Sequence, residues 1–202
     1  MASSPVRRKL LMALGAAAVV AAVVIGLSQT NTNNSAPKAS TISLQDARRA
    51  LTGAPAPLAA LHAQAADLLD GSRTTVAQRI KALRGHPVVV NKWASWCGPC
   101  RYEFPFLQDA SVRYGRRVAF LGLNSGDNRG DARTFLARFP VSYPSYVDPN
   151  ERIATSLDAG AAYPTTIFYD AQGKRQFIHQ GGYATRAKLE QDVERYALGR
   201  GA

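Results

Sequence analysis

Two cysteines stand immediately after an apolar β-branched run, and this junction leaves few folds open. Val88-Val89-Val90 begins a stretch that continues through Trp93, and Trp96-Cys97-Gly98-Pro99-Cys100 follows. A short apolar run of this kind reads as a strand buried on both faces, in a sheet that helices cover. Gly98-Pro99 lets the chain turn, and a proline there pre-sets φ for a first helical turn. The spacing predicts a strand-to-helix junction, with Cys97 at the helix start and Cys100 one turn deeper. Unpaired N–H groups and the positive end of the helix dipole favour a thiolate at that start. Cys97 is thereby suited to attack a disulfide, and Cys100 to resolve the mixed disulfide that forms.

The chain has 202 residues and no other cysteine, which excludes a disulfide scaffold and any zinc site built mainly from cysteine. Zinc on this pair would need two further ligands, and His62, His86 and His179 share no ligand spacing. Two alternatives remain beside a redox dithiol. An inert structural disulfide would close a loop too short to gain much entropy. A one-cysteine peroxidase would carry the hydroxyl residue of the peroxiredoxin pattern three positions before Cys97, where Ala94 stands.

Lysine and arginine number 25 against 14 acidic residues, a formal net charge of +11. The basic residues are scattered, without a stripe of interleaved aromatics or a recognition-helix pattern, which argues against nucleic acid as the partner. Arg7-Arg8-Lys9 precedes residues 10–27, which carry no charge. That run would be ~27 Å long as a helix, close to a bilayer core. The basic flank orients it with the N-terminus in the cytoplasm and the remainder outside. Residues 1–27 are therefore read as a cytoplasmic basic end and a single transmembrane signal anchor. The rival is a cleaved signal peptide, for which Gly26 and Ser28 would suit a small-residue site. Residues 28–42, rich in Asn, Thr and Ser, read as a flexible tether.

Ser43 can cap a helix over Leu44 to Leu51, and Gly53-Ala54-Pro55-Ala56-Pro57 breaks it. Leu58, Leu61, Ala65, Leu68 and Leu69 suggest a second helix ending at Gly71, and Val76, Ile80 and Leu83 a third. Residues 43–84 thus form a helical N-terminal extension. Beyond it the pattern predicts a helix from about Gly98 to Tyr114, kinked at Pro105. It predicts strands at Val118–Leu123, Tyr143–Val147 and Thr165–Tyr169, and a hairpin partner at Arg175–His179. The order βαβαβαββα implies an α/β fold, three layers deep, with helices on both faces of a mixed central sheet.

The segment Val88 to Cys100 resembles the active-site segment of thioredoxin-fold proteins. Arg101-Tyr102-Glu103-Phe104-Pro105, Asp148-Pro149 and Tyr163-Pro164-Thr165-Thr166 continue it in the style of the membrane-anchored TlpA/ResA subfamily. The resemblance covers roughly residues 85–198, within a thioredoxin-like domain at 85–202. The extension at 43–84 departs from the family's N-terminal β-hairpin. The resemblance implies an extracytoplasmic thiol-disulfide oxidoreductase, of the protein-disulfide reductase type, acting through Cys97 and Cys100 without a dissociable cofactor or metal. The resemblance also points to cytochrome c maturation as a setting. The implied partners are a disulfide-containing protein substrate and a membrane thiol electron donor. Alternatives are a thiol-disulfide oxidase, a redoxin-type peroxidase, and a module binding haem, copper or apocytochrome.

By the same resemblance Pro164 is the family's cis-proline opposite the dithiol. The backbone before it, here Tyr163, pairs with an extended substrate, and Trp96, Gly98 and Pro99 complete the substrate-binding edge. Asn91 stands where cytoplasmic thioredoxins keep a buried aspartate, and Glu103 matches the subfamily's active-site glutamate. A partly buried carboxylate at Glu103 would raise the thiol pKa and could relay a proton. Lys92 is a departure, a lysine in a central strand that must either snorkel to the sheet edge or pair with an acid. Trp93 is read as packing, Trp96 as a flap beside the dithiol, and His179 as structural. The loop from Asn124 to Gly130 is read as a solvated insertion.

Overall fold

The computed structural model describes residues 40–200. The expected anchor at 10–27, and the tether up to residue 39, lie outside the described residues. Among the described residues no helix is long and apolar enough to cross a membrane.

Helix α1, Leu44–Ala50, starts where Ser43 Oγ accepts from the Asp46 N–H, and α2, Ala56–His62, starts behind Pro55. Strand β1, Leu68–Leu69, and helix α3, Arg73–Ala82, complete the extension. Strand β2, Val88–Trp93, leads into α4, Gly98–Tyr114, and then β3, Ala119–Ser125. Helix α5, Arg129–Arg138, strand β4, Ser145–Asp148, and helix α6, Arg152–Ser156, follow. Strands β5, Thr165–Tyr169, and β6, Arg175–Gln180, form the hairpin. Helix α7, Arg186–Asp192, capped by Thr185, ends in a π-helical turn at Val193–Ala197.

The six strands lie in the order β1-β4-β3-β2-β5-β6. Pairs β1–β4, β4–β3 and β3–β2 are parallel, and β2–β5 and β5–β6 antiparallel. Strand side chains alternate between faces, so β2 divides its residues between two cores. Val89 and Trp93 pack with Phe104 and Leu107 of α4, Phe135 of α5 and Leu189 of α7. Val88 and Val90 pack with Leu58 and Leu61 of α2, Ile80 of α3 and Ile153 of α6. This is the three-layer architecture with a mixed sheet that the sequence pattern implies.

The extension differs from its expected form. The helix expected through Leu69 stops at His62, and Leu68-Leu69 instead pairs with Ser145-Tyr146 at the sheet edge. Ala66, at φ 60°, makes the turn, and the main chain of Ala66 and Asp67 bonds to Tyr143 and Ser145. A two-residue strand has no periodicity to read, so its leucines mimic the next turn of a helix. Helix α4 runs from Gly98 to Tyr114 with Pro105 inside it; the carbonyl of exposed Arg101, which loses its partner there, can turn to water.

The Trp93 indole N–H reaches Ser145 Oγ at 3.1 Å, crossing β3 over Gly122. A Cβ on Gly122 would lie 1.9 Å from that hydroxyl oxygen and 3.1 Å from the indole nitrogen. Gly122→Ala should therefore destabilise the oxidised protein by about 1–3 kcal/mol, an overpacking cost. Urea unfolding measures this, and a change below about 0.5 kcal/mol would show that β3 and β4 separate freely.

Candidate active site

Cys97 is the N-cap of α4, and its Sγ accepts from the Cys100 N–H at 3.1 Å. The two cysteines form a disulfide with Cα atoms 5.3 Å apart. Cys97 is 3% exposed and Cys100 fully buried, whereas Gly98 and Pro99 are exposed between them. A sulfur approaching from outside therefore meets Cys97 first.

The Tyr163–Pro164 peptide is cis, and Pro164 leads directly into β5 beside β2. Its carbonyl accepts from the Gly181 N–H at 2.9 Å. A Cβ on Gly182 would lie 3.3 Å from Pro99 Cβ and 3.8 Å from Pro164 Cδ. Pro99, Pro164 and Gly182 thus converge at one edge of the disulfide. The Gly181-Gly182 pair reads from sequence as the end of a strand, and nothing in its spacing reveals this close approach.

Trp96 is 59% exposed. Its indole N–H donates to the Gly126 carbonyl at 2.9 Å, and its ring lies 4.8 Å from that of Tyr163, centroid to centroid. The loop after β3 is more than a solvated insertion. Asp127 accepts from the Ser95 N–H at 2.6 Å and from the Ser95 hydroxyl at 2.9 Å, and also from the Asn124 amide. This carboxylate pins the turn that carries Trp96 and Cys97. A single acid in a polar loop carries no sequence signal of such a role.

Alternation along β2 sends the two polar residues to opposite faces. Asn91 meets α4, where its amide donates to Glu103 Oε1 at 2.8 Å, and it also donates to Thr166 Oγ1 of the neighbouring strand β5 at 3.1 Å. Glu103 is fully buried, and its Oε2 accepts from the Tyr183 N–H at 3.0 Å. Burial pushes the Glu103 carboxyl up to about 7, against the opposing pull of the Tyr183 and Asn91 hydrogen bonds. The Tyr183 contact is a main-chain one, invisible to residue-type reasoning.

Lys92 meets the other face and is also fully buried. It does not snorkel. Its ammonium donates to the Gly160 carbonyl at 2.8 Å and pairs with Glu151 at 3.0 Å. His179 stacks on Tyr183 with ring centroids 4.0 Å apart and faces Asp192, which accepts from the Tyr183 hydroxyl. Burial lowers the His179 pKa, opposed by the Asp192 charge. Among the described residues no group of three or more His, Cys, Asp or Glu side chains converges as a metal site would.

Residues 33–193 match the model of the Redoxin family. This chain belongs to the Redoxin family. The redoxin is 29% identical over 117 residues to thiol-disulfide oxidoreductase ResA of Geobacillus thermodenitrificans, covering 57% of this chain and 66% of that one. It is 29% identical over 115 residues to thioredoxin-like protein YneN of Bacillus subtilis, covering 55% and 65% respectively. The redoxin thus spans just under two thirds of the length of these relatives. Among solved structures, a candidate thiol:disulfide interchange protein DsbE of Chlorobium tepidum superposes with a TM-score of 0.52 at 30% identity. That match covers 56% of the redoxin and 82% of the other chain. The fold of the redoxin is thioredoxin-like.

Proposed function

We propose that this redoxin is a thiol-disulfide oxidoreductase that reduces protein disulfides through Cys97 and Cys100. The observation that carries the reading is the disulfide at the start of α4, with Cys97 the less buried of its two residues and Pro164 at its edge. In the reduced protein the Cys97 thiolate attacks one sulfur of the client disulfide. That S–S bond breaks, one client sulfur leaves as a thiolate, and a mixed disulfide joins Cys97 to the client. Cys100 then gives up its proton and attacks Cys97 Sγ, releasing the second client sulfur. The dithiol loses two electrons and two protons, and the client disulfide gains them.

Glu103 is the proton acceptor for Cys100 in this reading. It lies one helical turn along α4, and a group titrating near neutrality both takes and returns a proton. Trp96, Gly98, Pro99 and the main chain at Tyr163 and Pro164 form the edge on which an extended client lies. A membrane thiol donor restores the dithiol. The protein acts outside the cytoplasm, held by residues 10–27, a placement supported by the Arg7-Arg8-Lys9 flank. Apocytochrome c, whose haem-attachment cysteines must be reduced, is a client class suited to such a reductant.

Turnover of a disulfide-bonded protein against turnover of hydrogen peroxide tests the reaction class. Reduction of the disulfide with negligible peroxide consumption is expected; peroxide turnover that persists in Cys100→Ser would transfer the site to peroxidase chemistry.

Glu103→Gln has two expected consequences. A carboxylate beside the dithiol opposes thiolate formation, so its loss lowers the thiol pKa, read as the pH dependence of alkylation resolved by sulfur. Unchanged titration at both sulfurs would remove Glu103 from the mechanism. The second consequence concerns stability. Folding raises the Glu103 pKa from 4.5 to about 7. The resulting stabilisation is complete below the unfolded value and disappears as pH rises through the folded one. It amounts to about 3 kcal/mol. Urea unfolding of the oxidised protein between pH 4.5 and 7.5 should show this slope, and Glu103→Gln should flatten it.

A further inference from the structure

We propose that Lys92 is a positioning residue for the client edge, holding Tyr163 and through it Trp96 in the arrangement that selects an extended peptide disulfide over a small one. The proposal rests on the dithiol reading above and concerns a residue outside the sulfur chemistry.

A fully buried ammonium on a central strand is costly unless its donors are all engaged. Those of Lys92 reach three separate pieces of chain. One meets the Gly160 carbonyl at 2.8 Å, in the segment that leads to Pro164. A second pairs with Glu151 at 3.0 Å, at the start of α6. The ammonium also stands over the Tyr163 ring, 3.9 Å from its centroid, where the negative face of the ring attracts a cation. The far side of this assembly reaches the surface. Trp96 rests against Tyr163 at 4.8 Å and is tied to Gly126, and Trp96 is the most exposed large apolar side chain among the described residues.

Two features show how closely these groups are fitted. A Cβ on Gly126 would lie 2.7 Å from Tyr163 Oη and 3.2 Å from Glu151 Oε1. Glu151 adopts φ 54°, the left-handed region that a glutamate rarely occupies, while its carboxylate meets Lys92. An apolar residue at position 92 would release Glu151 to water and leave the Gly160 carbonyl without its donor. Tyr163 would keep its place in the chain and lose the charge beneath its ring. The sulfurs lie in the core on the other face of β2, and Lys92 reaches that core through Tyr163, which packs against it, rather than by touching the sulfurs itself.

The test compares Lys92→Met with the wild type on two probes. One is a synthetic disulfide-bonded peptide with several residues on each side of the cysteine; the other is bis(2-hydroxyethyl) disulfide, which offers little beyond its sulfurs. The KM for the peptide should rise about five- to tenfold, with kcat and small-disulfide turnover within about twofold. The reduction potential should stay unchanged, and Lys92→Arg should restore part of the peptide KM. Equal losses on both probes, or an unchanged peptide KM in a folded variant, would overturn the proposal. Should Lys92→Met fail to fold, Glu151→Gln replaces it, since Glu151 is 43% exposed in its side chain; the same separation of probes is required. If the wild type turns over neither probe, the dithiol reading has failed, and acrylamide quenching decides this one alone. Trp93 is buried, so quenching reports Trp96. Greater access in the variant supports the positioning role, and equal access overturns it.

Discussion

Cys97→Ser should lose client turnover by roughly a thousandfold or more, while Cys100→Ser accumulates a stable mixed disulfide with its client. The asymmetry follows from burial and position. Cys97 is the N-cap, with its sulfur accepting from a free N–H of the first turn and a small part of its surface open. Cys100 is fully buried one turn later and reaches only a sulfur already attached to Cys97. With Cys100 replaced, the first displacement still proceeds and the second has no nucleophile. Non-reducing electrophoresis with and without dithiothreitol reads the adduct directly. Equal trapping by both variants would show that the outer sulfur is not the only one that meets clients.

The second large effect concerns the reduction potential, expected near that of thioredoxin, in the region of about −200 to −300 mV. A potential rises when the reduced form is stabilised as a thiolate, and strongly oxidising proteins reach about −120 mV in that way. Here a buried carboxyl accompanies the dithiol, and its charge works against the thiolate as pH passes about 7. Gly98-Pro99 is also the dipeptide of thioredoxin, as the resemblance has it. The two extremes differ by about 150 mV, or roughly 7 kcal/mol for a two-electron couple. Equilibration against glutathione and dithiothreitol buffers measures the value. A potential above about −150 mV would falsify the reductase direction and leave an oxidase.

The dithiol junction, the layer count and the mixed sheet were legible in the chain itself. Each rests on local chemistry: a β-branched run, a Gly-Pro turn, a cap at Ser43, and leucines at helical spacing. Lys92 was also visible, because a charged side chain in a buried strand demands a partner, while Asn91 and Glu103 were singled out by the family resemblance. Their partners were decided elsewhere. Strand alternation puts Asn91 and Lys92 on opposite faces, and only the placement of α4 and α6 then delivers Glu103 to one and Glu151 to the other. The same holds for the Tyr183 N–H on Glu103, for Asp127 on Ser95, and for Gly182 against Pro99 and Pro164. These contacts join residues tens of positions apart through main-chain atoms or single side chains, which leave no periodicity or motif. Strand β1 shows the same boundary: two leucines carry too little pattern to distinguish strand from helix, and the free edge of β4 settles the matter by offering unpaired main-chain groups.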